Sequence, residues 1–247
     1  MPSTVVVTGA SSGIGAETAR EFSKHGHHVV LLGRSLEKLK SVQATCNSLT
    51  TLLAFDLKNL KDHETEVLKT LENKPPLEIL INNAGIYHQE SFAKTSDEAW
   101  FEQFYVNLMG PVQLTRLLWP IFTKNKKGSI LNISSTLGIK PVPNTAAYSA
   151  MKAALNNWTI TLAQEGGAYN IRVNAICPGI VDTPIHAFHS MAPEEKSHVK
   201  TQMSKMQMIS NIGTPEDIAR SAYFLASNQS AFTTASILTV DGGIGLK

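Results

Sequence analysis

A single doubly wound α/β domain, with seven parallel strands in one sheet and helices on both faces, is the fold class this chain predicts. Three observations carry that expectation. Short apolar runs of strand length alternate with longer helical patterns from end to end. The short runs are rich in Val, Ile and Leu and mostly lack polar alternation, as strands covered on both faces do. No linker, repeat or low-complexity stretch divides the 247 residues.

Taken in order, TVVVT (4–8) is the first strand and a helical pattern over 13–25 follows it. HVVLLG (28–33) leads to a helix over 35–48, and TLLAF (51–55) to one over 59–72. LEILIN (77–82) precedes the longest helical pattern, 96–123, and SILNIS (129–134) precedes 146–166. IRVNAI (171–176), a helix over 214–227 and SILTV (236–240) close the alternation. The stretch 184–212 interrupts it, being longer than a crossover needs, polar, and provided with Met191, Met203, Met206 and Met208. Thioethers suit a surface that adapts to a ligand, so a substrate-binding helical segment is expected there. A helical pair packed on the sheet edge is the equal alternative.

Composition narrows the function classes. Lys and Arg number 22 against 20 Asp and Glu, a balance too even to suggest nucleic acid or an anionic membrane as partner. Cys46 and Cys177 lie far apart and read as buried small hydrophobes of a reducing compartment. The first residues run straight into a strand, without the basic and apolar regions of a signal peptide, and no apolar run has membrane length. A cytoplasmic location is the expectation.

The first strand meets the first helix through VVVTGASSGIGAETA, which spaces Gly9, Gly13 and Gly15 as G-x-x-x-G-x-G. Glycines there let the backbone turn sharply and approach a pyrophosphate, whose charge the helix N-terminus stabilises. A plain glycine turn has the same letters, but the strand before and helix after favour a dinucleotide. The second strand then ends in LLGRS. An NAD site places a carboxylate at that point for the ribose hydroxyls. Arg34 instead matches the charge and geometry of a 2′-phosphate, with Ser12 and Ser35 as further hydroxyl contacts, so NADP(H) is expected over NAD(H). The bland reading of Arg34 is a solvated surface charge.

AYSAMKAAL (147–155) sets Tyr148 and Lys152 four residues apart, on one face of a helix. A phenol has an ordinary pKa of about 10 and is a sluggish acid or base at neutral pH. A cation nearby favours the phenolate and moves that value toward working pH. Hydride delivered to a carbonyl carbon leaves an oxygen that needs such a proton donor.

Six motifs in order then resemble the short-chain dehydrogenase/reductase family, in its single-domain branch: TGASSGIG (8–15), NNAG (82–85), NLMG (107–110), NISS (132–135), YSAMK (148–152) and PGIVDT (178–183). The resemblance runs to the C-terminal VDGG and implies a Rossmann fold with the third and fourth strands flanking the cofactor. It implies that Tyr148 is the acid/base, that Lys152 lowers its pKa and binds the nicotinamide ribose, and that Ser135, not Ser134, holds the substrate oxygen. Asn107 is similar to the family's asparagine that orders water beside the lysine. Cofactor contacts implied in the same way are Gly9, Ser11, Ser12, Gly13, Ile14 and Gly15 in the first turn, and Asp56 and Leu57 after the third strand. Asn83, Ala84 and Gly85 would form the wall over the cofactor, with Tyr148 and Lys152, and with Pro178, Gly179, Val181 and Thr183 near the carboxamide. Thr183 also reads as an N-cap, with Pro184 opening a helix.

His186 and His189 are three apart, but no third ligand in a zinc-like arrangement accompanies them, and no metal is expected. The functional expectation is an NADP(H)-dependent oxidoreductase interconverting a small-molecule carbonyl and a secondary alcohol. Ile86, Tyr87, His88, Leu137, Val142, Ile185 and Phe188 would give the substrate a modestly apolar setting. A 3-oxoacyl-carrier-protein reductase is the first alternative: KNKK (124–127) could dock an acidic carrier, although Tyr169 stands where such enzymes tend to be basic. A non-catalytic NADP-sensing or scaffold protein would have lost part of the set that Asn107, Ser135, Tyr148 and Lys152 complete, and a sugar-nucleotide epimerase would be longer. The resemblance implies a homotetramer or homodimer built on the helices that carry Asn107 and Tyr148, with Trp100, Trp119 and Trp158 suiting either an interface or the core.

Overall fold

Each apolar run becomes a strand of one sheet in the computed structural model, which describes residues 2–186 and 190–246. The strands are β1 Thr4–Thr8, β2 His28–Gly33, β3 Thr50–Ala54, β4 Leu77–Asn82, β5 Gly128–Ile133, β6 Ile171–Pro178 and β7 Ile237–Val240. They lie in the order β3-β2-β1-β4-β5-β6-β7, and every pairing is parallel. The chain winds outward from β1 to β3, then crosses back to β4. The adjoining ends of β1 and β4 therefore form the switch point where doubly wound sheets open a crevice. In that order β3 and β4 flank the β2–β1 pair.

The helices are α1 Gly13–Lys24, α2 Leu36–Gln43, α3 Leu60–Thr70, α4 Asp97–Phe104, α5 Gly110–Asn125, α6 Ala146–Gly167, α7 Pro193–Ser204 and α8 Pro215–Ala226. Alternate strand side chains feed two buried clusters. Val5, Val7, Leu31 and Ile81 join Phe22 of α1 and Leu225 of α8 on one face. Val6, Val30, Leu80 and Ile130 join Leu114, Leu118 and Phe122 of α5 on the other. Burial on both faces is why these strands read as continuous apolar runs.

Three expectations change. The pattern over 96–123 is not one regular helix: a π-helical turn, Tyr105–Met109, separates α4 from α5. The stretch 184–212 holds one α-helix among the described residues, α7, which buries none of its own residues. Among the described residues no α-helix starts at Pro184; the residue before α7 is Ala192, and the Thr183 hydroxyl donates to the Val181 carbonyl at 3.4 Å. Phe188 and His189 lie outside the described residues. Among the described residues, no helix is long and apolar enough to cross a membrane.

Candidate active site

At the carboxyl end of β1 the backbone itself is the working surface. Gly9 and Gly13 have φ of +64° and +54°, a region that L side chains rarely adopt. A Cβ on Gly9 would stand 2.9 Å from Ala84 Cα, and one on Gly15 would stand 2.3 Å from the Gly9 carbonyl oxygen. Only glycine permits so close an approach of α1 to the turn. Thr8 binds this turn to the next strand end: its hydroxyl accepts from Asn83 N and Ala84 N, both at 2.9 Å. The Asn83 side-chain amide donates to the Thr8 carbonyl at 2.9 Å. Thr8 opens the motif TGASSGIG but is not among the expected site residues; its signal is a buried hydroxyl at the end of an apolar strand.

Ser11, Ser12 and Gly13 open onto a cleft of about 330 Å³ that Arg20, Lys38, Glu17 and Asp182 also line. The cleft sits against the N-terminus of α1, where backbone N–H groups and the helix dipole favour an anion. Arg34 is exposed at the end of β2. Ser35 is committed elsewhere, its hydroxyl capping α2 by accepting from Lys38 N at 3.4 Å. Asp56 caps the short turn after β3, accepting from Lys58 N at 3.0 Å. Leu57 is buried beneath Gly110, so only its main chain is available to a ligand. A cradle that added Cβ atoms would fill fits a dinucleotide.

The second half of the site assembles from four elements. Ser135 follows β5, Tyr148 and Lys152 lie in the first turns of α6, Asn107 lies in the π-helical turn, and Gly85 follows β4. A Cβ on Gly85 would stand 2.9 Å from Asn107 Oδ1 and 3.6 Å from Lys152 Nζ, which brings all three together. Ser135 and Ser134 separate cleanly. The Ser135 hydroxyl stands beside the Tyr148 phenol and draws its pKa down, whereas the Ser134 hydroxyl donates to the Lys152 carbonyl at 3.2 Å. Gly138 carries the serine turn over α6, where a Cβ would meet the Lys152 backbone at 2.7 Å.

Tyr148 and Lys152 are both buried. Burial pushes the phenol well above its ordinary value, and the neighbouring Ser135 hydroxyl pulls the other way. The Lys152 ammonium is pushed down to about 8 by the same desolvation, with Cys177 opposing. Its Nζ donates to the Ile133 carbonyl at 2.9 Å and stands 5.7 Å from the centroid of the Tyr148 ring. In this geometry desolvation outweighs the lowering of the phenol that a neighbouring cation would bring.

Asn107 is fully buried, and its side-chain amide is spent on one partner. Oδ1 accepts from Ile86 N and Nδ2 donates to Ile86 O, each at 3.0 Å. Pro178, Val181 and Thr183 are buried at the mouth of β6. The Thr183 methyl packs over Gly13, 3.2 Å from where a Cβ would be, and Gly179 abuts Asp241. Trp119 and Trp158 pack against the second core cluster. KNKK lies at the end of α5 before β5, at the opposite end of that strand from Ser135, with Lys127 paired to Glu78 at 2.9 Å. Within this chain it does not border the site. Among the described residues, no group of three His, Cys, Asp or Glu side chains is placed to hold a metal ion.

A family model described as enoyl-(acyl carrier protein) reductase matches residues 9–245. The 3-oxoacyl-(acyl-carrier-protein) reductase FabG of Chlamydia muridarum is 33% identical over 243 residues, 97% of this chain and 96% of that protein. A solved structure of a substituted actinorhodin polyketide ketoreductase with NADPH has 29% identity and a TM-score of 0.89, over 100% of this chain and 98% of that one. One of ElxO with NADP bound has 27% identity and a TM-score of 0.91, over 100% of both chains. The chain belongs to the short-chain dehydrogenase/reductase family, and it is an oxidoreductase acting on carbonyl and alcohol groups.

Proposed function

We propose that the protein is an NADP(H)-dependent carbonyl reductase in which Tyr148 moves the proton, Ser135 holds the substrate oxygen and Lys152 binds the nicotinamide ribose. The observation that carries this reading is the convergence of a buried phenol, a serine hydroxyl beside it and a buried ammonium at the carboxyl ends of the central strands. Bound cofactor supplies the hydride. The chain does the rest. The Ser135 oxygen accepts from Leu137 N at 3.1 Å, which leaves its own proton to donate toward an oxygen, as an oxyanion donor does. A phenol kept protonated by burial is the starting state that carbonyl reduction needs, since the acid must hold its proton until the oxygen becomes basic. Two oxygen-directed hydroxyls also favour a C=O bond over the C=C bond of an enoyl substrate.

Asn107 contributes as a spacer: with its side chain occupied by Ile86, any water ordered beside Lys152 would be held by its main chain, where a π-helical turn loosens the hydrogen-bond ladder. NADP(H) is preferred over NAD(H) because Arg34 stands where a carboxylate would otherwise receive the ribose, and Lys38 adds charge beside Ser11 and Ser12. Residues 184–212 form the substrate side of the site in this reading, within one domain spanning 1–247. A cytoplasmic homotetramer or homodimer fits the exposed Phe101, Tyr105 and Ile160 on the faces of α4, the π turn and α6. Sedimentation as a monomer at micromolar concentration would remove the assembly.

The test is consumption of NADPH and NADH with a panel of ketones. Activity with NADPH should exceed that with NADH, the margin should shrink in Arg34→Ala, and Tyr148→Phe should lose at least about 100-fold. A 3-oxoacyl thioester belongs in the panel, because the FabG relative is named for that substrate. Binding of NADPH without turnover of any ketone would favour a sensor instead.

A further inference from the structure

One aromatic residue beside the phenol has no part in the proton and hydride chemistry. Tyr87 follows Ile86, whose N–H and carbonyl are both held by Asn107 at 3.0 Å. Three residues beyond Tyr87, Glu90 N donates to the Asn144 carbonyl at 2.9 Å. The loop is therefore pinned on either side of Tyr87, once to the π-helical turn and once to the loop before α6. Between the pins the Tyr87 ring stands edge-to-face against Tyr148, with centroids 4.9 Å apart and planes at 79°. The His186 ring, in the stretch between β6 and α7, lies 6.4 Å away at 67°. Tyr87 is only half-buried, so these neighbours do not use up its surface.

We infer that Tyr87 is a specificity-determining residue whose ring walls the site beside the reacting carbonyl, and that the site takes ketones bearing an aryl or other flat conjugated group. The inference rests on the carbonyl-reductase reading and deepens it. A carbonyl oxygen bonded to the Tyr148 hydroxyl places its two substituents within a few ångströms of that ring, and hence beside Tyr87. Two rings at nearly a right angle make a corner. A flat aromatic group can lay its face on one ring and turn its edge to the other, satisfying both quadrupoles. A puckered saturated ring of the same size covers the corner without that complementarity. A wall pinned at two backbone points is already ordered, so the substrate does not bear the cost of ordering it.

The experiment compares an aryl methyl ketone with its cyclohexyl counterpart, in wild type, Tyr87→Phe and Tyr87→Leu. Wild type should favour the aryl ketone by about three- to tenfold in kcat/KM, the range that aromatic pairing supplies beyond area. Tyr87→Phe should keep the preference. Tyr87→Leu should bring it to parity, the aryl ketone losing more kcat/KM than the cyclohexyl one. Equal kcat/KM for the two ketones in wild type overturns the inference without any variant, and so does a preference that survives Tyr87→Leu. Kd for the same ketones on the NADP-loaded protein reads the preference without turnover. No turnover with an aryl preference in Kd would sink the reductase and support the wall; turnover with no preference would sink the wall and support the reductase.

Discussion

Lys152 and Tyr148 show how one physical cause acts oppositely on two groups. Desolvation disfavours the charged form, so it lifts the phenol and lowers the ammonium. The lysine's sign has a measurable consequence. With its value lowered to about 8, the ammonium is present below that pH and is lost as pH rises through it. Affinity for the phosphate-bearing cofactor should therefore hold between pH 6 and 7.5 and weaken above about 8. In Lys152→Met the affinity should be weaker throughout and lack that step. Fluorescence titration of NADPH across pH reads both, and an unchanged step in the variant would assign the titration to another group. Glycine at 15 is as demanding as any charge. Gly15→Ala would drive a methyl into the Gly9 carbonyl, a backbone group that cannot swing away.

Elements carry the next scale, and Arg172 of β6 shows one element terminating another. Its guanidinium donates to the Leu225, Ala226 and Ser227 carbonyls at 2.8–3.0 Å, all at the end of α8, where helix carbonyls lack internal partners. It also reaches the Thr233 carbonyl at 3.1 Å, joining the loop that enters β7. Arg172→Leu strands those acceptors and should cost about 2–4 kcal/mol, lowering Tm by about 5–15 °C. Lysine, with a single ammonium, should restore only part of it. Thermal denaturation with all three proteins settles the matter, and a shift within 1–2 °C would show that water replaces the guanidinium. Nothing in IRVNAI announces this role, because the partners are some fifty residues distant. The strands and α6 were legible in the sequence, since apolar burial on two faces and helical spacing are local signals. The π-helical turn was not: YVNLM keeps helical spacing, and the contact made there, between Asn107 and Ile86, joins segments distant in the chain. For the same reason Ser135 could be told from Ser134 only through the family's spacing until geometry separated their partners.

At the scale of the whole molecule, the C-terminal turn links the two proposed halves of the site. After β7, the Gly242 carbonyl accepts from Met208 N at 2.8 Å and Ile209 N at 2.9 Å, fastening a strap, residues 205–212, that returns from α7. Gly243 has φ +82°, and a Cβ there would meet Met208 Sδ at 2.8 Å. One residue earlier in the turn, Asp241 packs on Gly179, whose N–H donates to the Val240 carbonyl at 3.1 Å. The strap thus hangs from one side of the turn and the 178–183 loop, the proposed nicotinamide contact, from the other. Gly243→Val should loosen only the strap, since a left-handed conformation costs a branched residue about 1–3 kcal/mol and its side chain displaces Met208. A rise in ketone KM of about tenfold is expected, with NADPH Kd within about twofold of wild type. Gly179→Ala should do the reverse, weakening NADPH first, because its methyl meets the Asp241 backbone at 2.7 Å. Steady-state kinetics and cofactor titration on both variants separate the two attachments. Equal losses of cofactor and ketone binding in both would mean that strap and loop move as one body, and that residues 184–212 do not form a distinct substrate side.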